Sequence, residues 1–344
     1  MRIGLLTGGA DCPGLNAAIR AVTRRAILTH DDTVLGIRNG WEGLIDGNIE
    51  PISLYSVSGI LHKGGTILGT SRRNPLIRES DVQNILKYAK LYEIDTIIAI
   101  GGDDTFKVAN YFTKQGLRLI GIPKAVDNDV PGTDLSFGFD TAVSVATDAI
   151  DRLHTTAEAH HRVMILEVMG RYSGAIAAMA GIAGGADCIL VPEDPFSFQD
   201  VIRIVESREK HGKTFSIVVI AEGAICKDPD VENLKPTRTD EFGHQFFYGR
   251  GDFLRRELEE RCDMEVRVAV LGHIQRGGTP TAFDRMLATR FGVRAADLAH
   301  EGKSGVMTAL RGTEIVETPL EVVDGKPRGM DAKLLELARI SWDE

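Results

Sequence analysis

Residues 96–104 read TIIAIGGDD, and this stretch decides the fold class. Thr96–Ile100 is a continuous apolar run with no polar alternation, the pattern of a strand buried on both faces. It breaks on Gly101 and Gly102, meets two carboxylates at Asp103 and Asp104, and passes into a helical pattern reaching about Lys114. The next run, Leu117–Ile122, is again apolar and opens into Pro123, Lys124, Ala125, Val126, Asp127, Asn128 and Asp129. The same order recurs outward in both directions. Arg2–Thr7 enters Gly8, Gly9, Ala10 and Asp11 and then a helix over Leu15–Leu28, and Val163–Val168 enters Met169, Gly170 and Arg171. Further strands are expected at Cys188–Val191, Ser216–Ala221 and Val266–Leu271. Alternating buried strands and helices imply an α/β fold of parallel sheets covered by helices.

The clearest helix is expected from Thr141 to about His160, where Ala142, Val143, Ala146, Ile150 and Leu153 recur at three- and four-residue spacing. Asp140 is its N-cap candidate, and the segment suits a hinge between two lobes. With 344 residues there is enough chain for one large domain or two lobes. Lys227–Gly251 is polar and aperiodic and reads as a surface excursion.

A formal charge of −9 argues against nucleic acid or an anionic membrane as the main partner, while leaving room for a local basic pocket. Cys12, Cys188, Cys226 and Cys262 lie at no metal-ligand spacing and suggest a reducing cytosol. Met1–Gly9 is too short an apolar run for a signal peptide, and no run approaches a membrane span. A cytoplasmic location is therefore expected.

Open α/β sheets bind ligands beyond the carboxyl ends of their strands, and nearly every polar cluster in this chain falls where a strand should end. Gly8–Asp11 lets backbone N–H groups approach an anion at a helix N-terminus; the alternative is a plain tight turn, and the run is neither G-x-G-x-x-G nor a Walker A loop. Of Asp103 and Asp104, one can cap the helix, and the second points to a cation such as Mg²⁺, which takes one or two carboxylates plus phosphate oxygens. Asp127 and Asp129, two apart, would project to one side of an extended segment, one as general base and the other as a positioner or metal partner. The alternative there is an Asx-turn cluster. Arg171 offers the cation that phosphoryl transfer needs. Arg162, Glu222, Arg267, His273 and Arg276 lie at or near other strand ends; singly, each reads as a surface charge, or for His273 as a structural histidine.

Six strings occur in one order: residues 64–72 (GGTILGTSR), 100–105 (IGGDDT), 123–129 (PKAVDND), 167–171 (EVMGR), 221–223 (AEG) and 271–278 (LGHIQRGG). On these the chain resembles the phosphofructokinase A family over roughly residues 1–315, and most closely its actinobacterial, pyrophosphate-dependent members. The resemblance implies two lobes, each a mainly parallel sheet covered by helices, with the active site in the cleft between them. A donor-binding lobe would comprise residues 1–139 plus about 277–330, and a sugar-phosphate lobe about 140–276. It implies Mg²⁺-dependent phosphoryl transfer to the 1-hydroxyl of fructose 6-phosphate. Asp127 would be the base, supported by Asp129, with Lys124 and Arg171 in the catalytic group. Asp103 would hold Mg²⁺, and Gly9, Ala10, Arg72 and Asp104 would meet the donor. Ala125, Met169, Gly170 and Glu222 would contact the sugar phosphate or the moving group. Arg267, His273 and Arg276 would bind the 6-phosphate, with Arg162 reaching in from a neighbouring subunit of a homodimer or homotetramer.

Within the resemblance, Asp104 stands where ATP users carry glycine, and its carboxylate would crowd and repel the α-phosphate of a nucleotide. Lys124 also stands for glycine and compensates the charge of compact pyrophosphate. The pair favours pyrophosphate as donor, in a reversible reaction. The rivals are an ATP-dependent enzyme that tolerates Asp104 and a weakly active or non-catalytic sugar-phosphate-binding paralogue, which Ala10 (usually glycine) and Ala125 (usually threonine or serine) motivate. Sedoheptulose 7-phosphate is an alternative acceptor. Leu54, Gly59 and His154 replace the Arg, Asp and Arg of effector-regulated members, while Arg20, Arg24 and Lys213 are retained.

Overall fold

The computed structural model describes residues 1–228, 238–243, 245–246, 249–261 and 265–340. Cys262 and part of the 227–251 stretch lie outside the described residues. In chain order the strands are β1 (Arg2–Thr7), β2 (Thr33–Ile37), β3 (Ile49–Ile52), β4 (Thr96–Gly101), β5 (Leu119–Pro123), β6 (Val163–Val168), β7 (Cys188–Leu190), β8 (Ser216–Ala221), β9 (Arg238–Thr239), β10 (Gln245–Phe246), β11 (Val266–Val270), β12 (Val306–Arg311) and β13 (Glu314–Pro319). The chain divides into two units, Met1–Thr141 with Arg276–Pro327, and Ala142–Gln275 with Arg328 onward.

In the first unit seven strands form one sheet in the order β13-β12-β5-β4-β1-β2-β3. The five strands from β12 to β2 are parallel, and β13 and β3 add antiparallel edges. Every residue of β4 is buried, as its unbroken apolar run requires. The helix Asp103–Lys114 turns Phe106, Ala109 and Phe112 inward, and Phe112 stacks on Trp41 at 5.8 Å between ring centroids. The strand expected from Leu117 begins instead at Leu119, because the Leu117 N–H closes the preceding helix on the Phe112 carbonyl at 3.1 Å. Register aligns the strand ends: Thr7 lies opposite Ile100, and Gly101 opposite Pro123. The loops leaving β1, β4 and β5 therefore open side by side.

The long helix runs from Phe139 to His160, so Asp140 is in its first turn rather than at its cap. Its carboxylate accepts from the Thr281 hydroxyl at 2.6 Å. The capping comes from elsewhere: Asp284 Oδ2 accepts the Thr141 N–H at 2.8 Å and the Thr141 hydroxyl at 2.6 Å.

The second unit holds a four-stranded, all-parallel sheet, β11-β6-β8-β7. β6 and β8 are wholly buried. Ile165, Leu190, Phe196, Phe198, Val218, Phe253 and Leu254 make a core with edge-to-face contacts between the Phe198 ring and those of Phe196 and Phe253. β9 and β10 pair as a two-residue antiparallel ladder within the polar excursion. The architecture is α/β, with mainly parallel sheets covered by helices. Among the described residues, no helix is long and apolar enough to cross a membrane.

Candidate active site

In the first unit the three neighbouring loops converge by backbone bonding. The Gly8 N–H donates to the Ile100 carbonyl at 2.9 Å, and the Lys124 N–H to the Gly101 carbonyl at 3.1 Å. The Gly9 N–H reaches the Ser71 carbonyl at 3.0 Å, and the Thr70 hydroxyl reaches the Gly9 carbonyl at 2.6 Å, which brings in the segment carrying the exposed Arg72. Gly9 adopts φ 75, the left-handed region that suits glycine. Thr105 packs so closely under the glycines that a Cβ on Gly101 would sit 2.3 Å from its side chain.

Lys124 is only 5% exposed, and its ammonium donates to the Ala10 carbonyl, under the loop assigned to the donor. Burial pushes its pKa below the ordinary lysine value, with the charges of Arg276 and Arg72 acting the same way and that of Asp11 opposing. Arg276 is itself buried and donates to the Asp11 carbonyl at 3.3 Å. Cys12, alongside, gives its thiol to the Phe137 carbonyl at 3.7 Å, and burial pushes its pKa up to about 12, so it stays a neutral thiol at physiological pH.

Asp127 is 8% exposed, and its buried Oδ1 has no hydrogen-bond partner among the described residues. The segment around it is not extended. Asn128 adopts φ 51, held there by its side chain, which accepts the Ser136 N–H at 2.9 Å and donates to the Asp134 carbonyl at 3.2 Å. A left-handed residue between them means that Asp127 and Asp129 do not share a strand face, as the two-residue spacing had implied. Ala125 donates its N–H to the Phe137 carbonyl at 3.3 Å and accepts the Ser136 hydroxyl at 3.0 Å on its own carbonyl.

Asp103 and Asp104 form the first turn of their helix. Lys107, a residue outside the sequence-based candidates, sits 3.0 Å from Asp103 Oδ2 and 3.8 Å from Asp104 Oδ1. Burial works against its charge, but the two carboxylates outweigh this and hold its pKa above the ordinary lysine value. Among the described residues, no three His, Cys, Asp or Glu side chains gather as a protein-only metal site. A pair of carboxylates at a strand end is nonetheless the donor set Mg²⁺ uses when phosphate oxygens complete its shell. The residues fit that ion.

In the second unit the loops after β6, β8 and β11 are neighbours. The Glu222 N–H donates to the Val168 carbonyl at 2.9 Å, and the Gly223 N–H to the Gly170 carbonyl at 3.0 Å. Arg171 Nε lies 4.0 Å from Glu222 Oε1. A Cβ on Gly223 would meet the Arg171 carbonyl at 2.1 Å, so only glycine lets these loops close. Gln275, wholly buried, accepts the Met169 N–H at 2.8 Å, a positioning contact that the sequence reading missed. His273 is exposed on the β11 loop. Just behind Met169, burial raises the pKa of Glu167, whose carboxylate accepts the Gly251 N–H at 2.7 Å.

Met169, Gly170, Arg171, Glu222 and His273 thus share one end of the sheet, and Arg162 and Arg267 do not join them. Arg162 immediately precedes β6, and Arg267 is the second residue of β11, so both lie at the amino end. Seven residue steps of extended chain run from Arg162 to Met169, about 23 Å. Glu265 binds both arginines, Arg162 at 2.6 Å and Arg267 through its other oxygen.

Fold and site residues together define an α/β protein with charged loops at the carboxyl ends of the strands in each of two mainly parallel sheets. The phosphofructokinase family model matches residues 2–299. The chain is 52% identical over 321 residues to the pyrophosphate--fructose 6-phosphate 1-phosphotransferase of Amycolatopsis methanolica, covering 93% of each. It is 50% identical over 321 residues to the ATP-dependent 6-phosphofructokinase 2 of Streptomyces coelicolor, covering 93% of this chain and 94% of that one. The structure of Pichia pastoris phosphofructokinase in the T-state superposes with a TM-score of 0.83 at 33% identity, over 94% of this chain and 37% of that longer one. The chain belongs to the phosphofructokinase family.

Proposed function

We propose that this protein transfers a phosphoryl group, with Mg²⁺, from pyrophosphate to the 1-hydroxyl of fructose 6-phosphate, giving fructose 1,6-bisphosphate reversibly. The observation that carries the reading is the unpartnered, buried Oδ1 of Asp127, on a loop adjacent to those of Gly9–Ala10 and Asp103–Asp104. A buried carboxylate oxygen with no donor is costly unless a ligand's hydrogen fills it. The proton of an attacking hydroxyl is such a hydrogen.

In this reading Asp127 takes that proton as the sugar oxygen bonds to the terminal phosphorus, and the bridging P–O bond breaks to release phosphate. Asp129 supports the base. Arg72 and Arg171 offset the charge on the moving group, and Lys124 places its amine beneath the donor loop of Gly9 and Ala10. Asp103, with Asp104 beside it, would hold Mg²⁺, which supplies charge neutralisation on the phosphate oxygens. Met169, Gly170, Ala125 and Glu222 are assigned to the sugar, and His273 and Arg276 to its 6-phosphate. Arg162, about 23 Å of strand from Met169, and Arg267, paired with Met164 toward the same amino end of the sheet, are assigned to the 6-phosphate of a neighbouring copy in a homodimer or homotetramer.

Pyrophosphate is favoured by Asp104 together with the buried Lys124. ATP is the second reading, because Lys107 offsets the Asp104 charge and because relatives named for either donor are 52% and 50% identical to this chain. The test is the purified protein with Mg²⁺ and fructose 6-phosphate, each donor supplied in turn. A higher kcat/KM with ATP would overturn the donor assignment, and no bisphosphate from either would overturn the transfer itself.

A further inference from the structure

Lys107 lies one helical turn beyond Asp103 and Asp104, with its ammonium 3.0 Å from one carboxylate and 3.8 Å from the other. Residues three and four apart on a helix are neighbours, so the contact belongs to the local geometry of this helix. The site end of β4 therefore sets a lysine ammonium against both carboxylates. We infer that Lys107 selects the phosphoryl donor and competes with the divalent cation: it offsets Asp104 where a nucleotide would place its additional phosphate, and it occupies Asp103 Oδ2. The inference rests on the phosphoryl-transfer reading above and adds to it a residue that sets donor preference.

Two consequences follow from charge alone. Without Lys107, Asp104 repels the longer donor more than pyrophosphate, which is shorter by a phosphate and the nucleoside. Without Lys107, Asp103 also loses a competing cation, so a divalent ion binds more tightly. The lysine is 41% exposed along its side chain, which keeps the effect modest. A solvent-exposed ion pair corresponds to at most about five-fold in an equilibrium constant.

The experiment compares wild type with Lys107→Met, which keeps length and removes charge, and Lys107→Arg, which keeps charge. The first readout is Mn²⁺ binding to the donor-free protein by electron paramagnetic resonance. The second is the ratio of kcat/KM for ATP to that for pyrophosphate, with the inhibition constant of ATP against pyrophosphate replacing it if ATP is not turned over. Lys107→Met should bind Mn²⁺ about three- to five-fold more tightly and disfavour ATP by about five-fold, and Lys107→Arg should return both toward wild type. Unchanged Mn²⁺ affinity or an unchanged donor preference in Lys107→Met, at wild-type melting temperature, overturns the inference. If wild type transfers no phosphoryl group from either donor, the proposed function falls on that result alone, and the Mn²⁺ titration still decides whether Lys107 competes for Asp103.

Discussion

Replacing Asn16 by alanine tests how the donor-side loops are held. Asn16 is 2% exposed, on the helix after β1. Its amide donates to the carbonyls of Lys63 at 3.1 Å and Gly64 at 3.2 Å, and its oxygen accepts the Ile67 N–H at 2.8 Å. One side chain thus pins the segment that continues through Thr70 to Arg72. Lys63 is exposed, so its carbonyl finds water in the variant, whereas Gly64 and Ile67 are half-buried and do so incompletely. Two such losses at about 1 kcal/mol each, with a small cavity term, give roughly 2–3 kcal/mol. In a unit of this size that lowers Tm by about 4–12 °C. Differential scanning calorimetry gives the first readout and the KM for the donor gives the second, which should rise because the segment carrying Arg72 is held less firmly. A Tm within about 1 °C of wild type and an unchanged donor KM would refute the reasoning that this amide organises the loop.

Asp127→Asn should lower kcat by about 10²–10⁴-fold with fructose 6-phosphate still bound, as read by steady-state kinetics and calorimetric titration; activity within a few-fold of wild type would remove Asp127 as base. Arg162→Ala subunits mixed with Asp127→Asn subunits should recover activity in verified hybrid oligomers, and no recovery would count against sites shared between copies. Glu167→Gln probes pH dependence: burial holds the Glu167 pKa above its unfolded value despite the Gly251 N–H, so the folded state keeps its proton longer than the unfolded chain. Wild type therefore loses stability as pH rises from the unfolded carboxyl value through the raised folded one. The Tm difference, glutamine variant minus wild type, should grow as pH rises above about 4.5, and a constant or shrinking difference would contradict the assignment.

The strands and their order of function were legible because burial on both faces leaves an unmistakable run, as in β4, and because polar clusters at strand ends survive any error of a residue or two. Positions whose meaning depends on one backbone torsion were not. Asn128 turns left-handed through side-chain bonds to residues six and eight further on, and no two-residue spacing rule can anticipate that. Asp140 looked like a cap because the residue that does the work, Asp284, is distant in the chain. Arg162 and Arg267 were grouped with strand ends, but which end they occupy depends on where β6 and β11 begin. Gln275 and Asn16 act through long-range contacts and left no local trace. Lys107 is the exception, since its spacing from Asp103 and Asp104 was readable from helical periodicity alone.

The burial of Lys124 gives the protein an internal reporter. An amine-acylating reagent cannot reach Nζ while it lies against the Ala10 carbonyl, so Lys124 can be labelled only when the loop over it opens. With reagent in excess and closing fast, the labelling rate equals the fraction of time the loop spends open multiplied by the intrinsic rate of an exposed amine. Mass spectrometry of the peptide containing Lys124, with and without pyrophosphate, would then measure the opening free energy of the donor loop in the native protein. Exposed lysines such as Lys63 supply the intrinsic rate in the same sample.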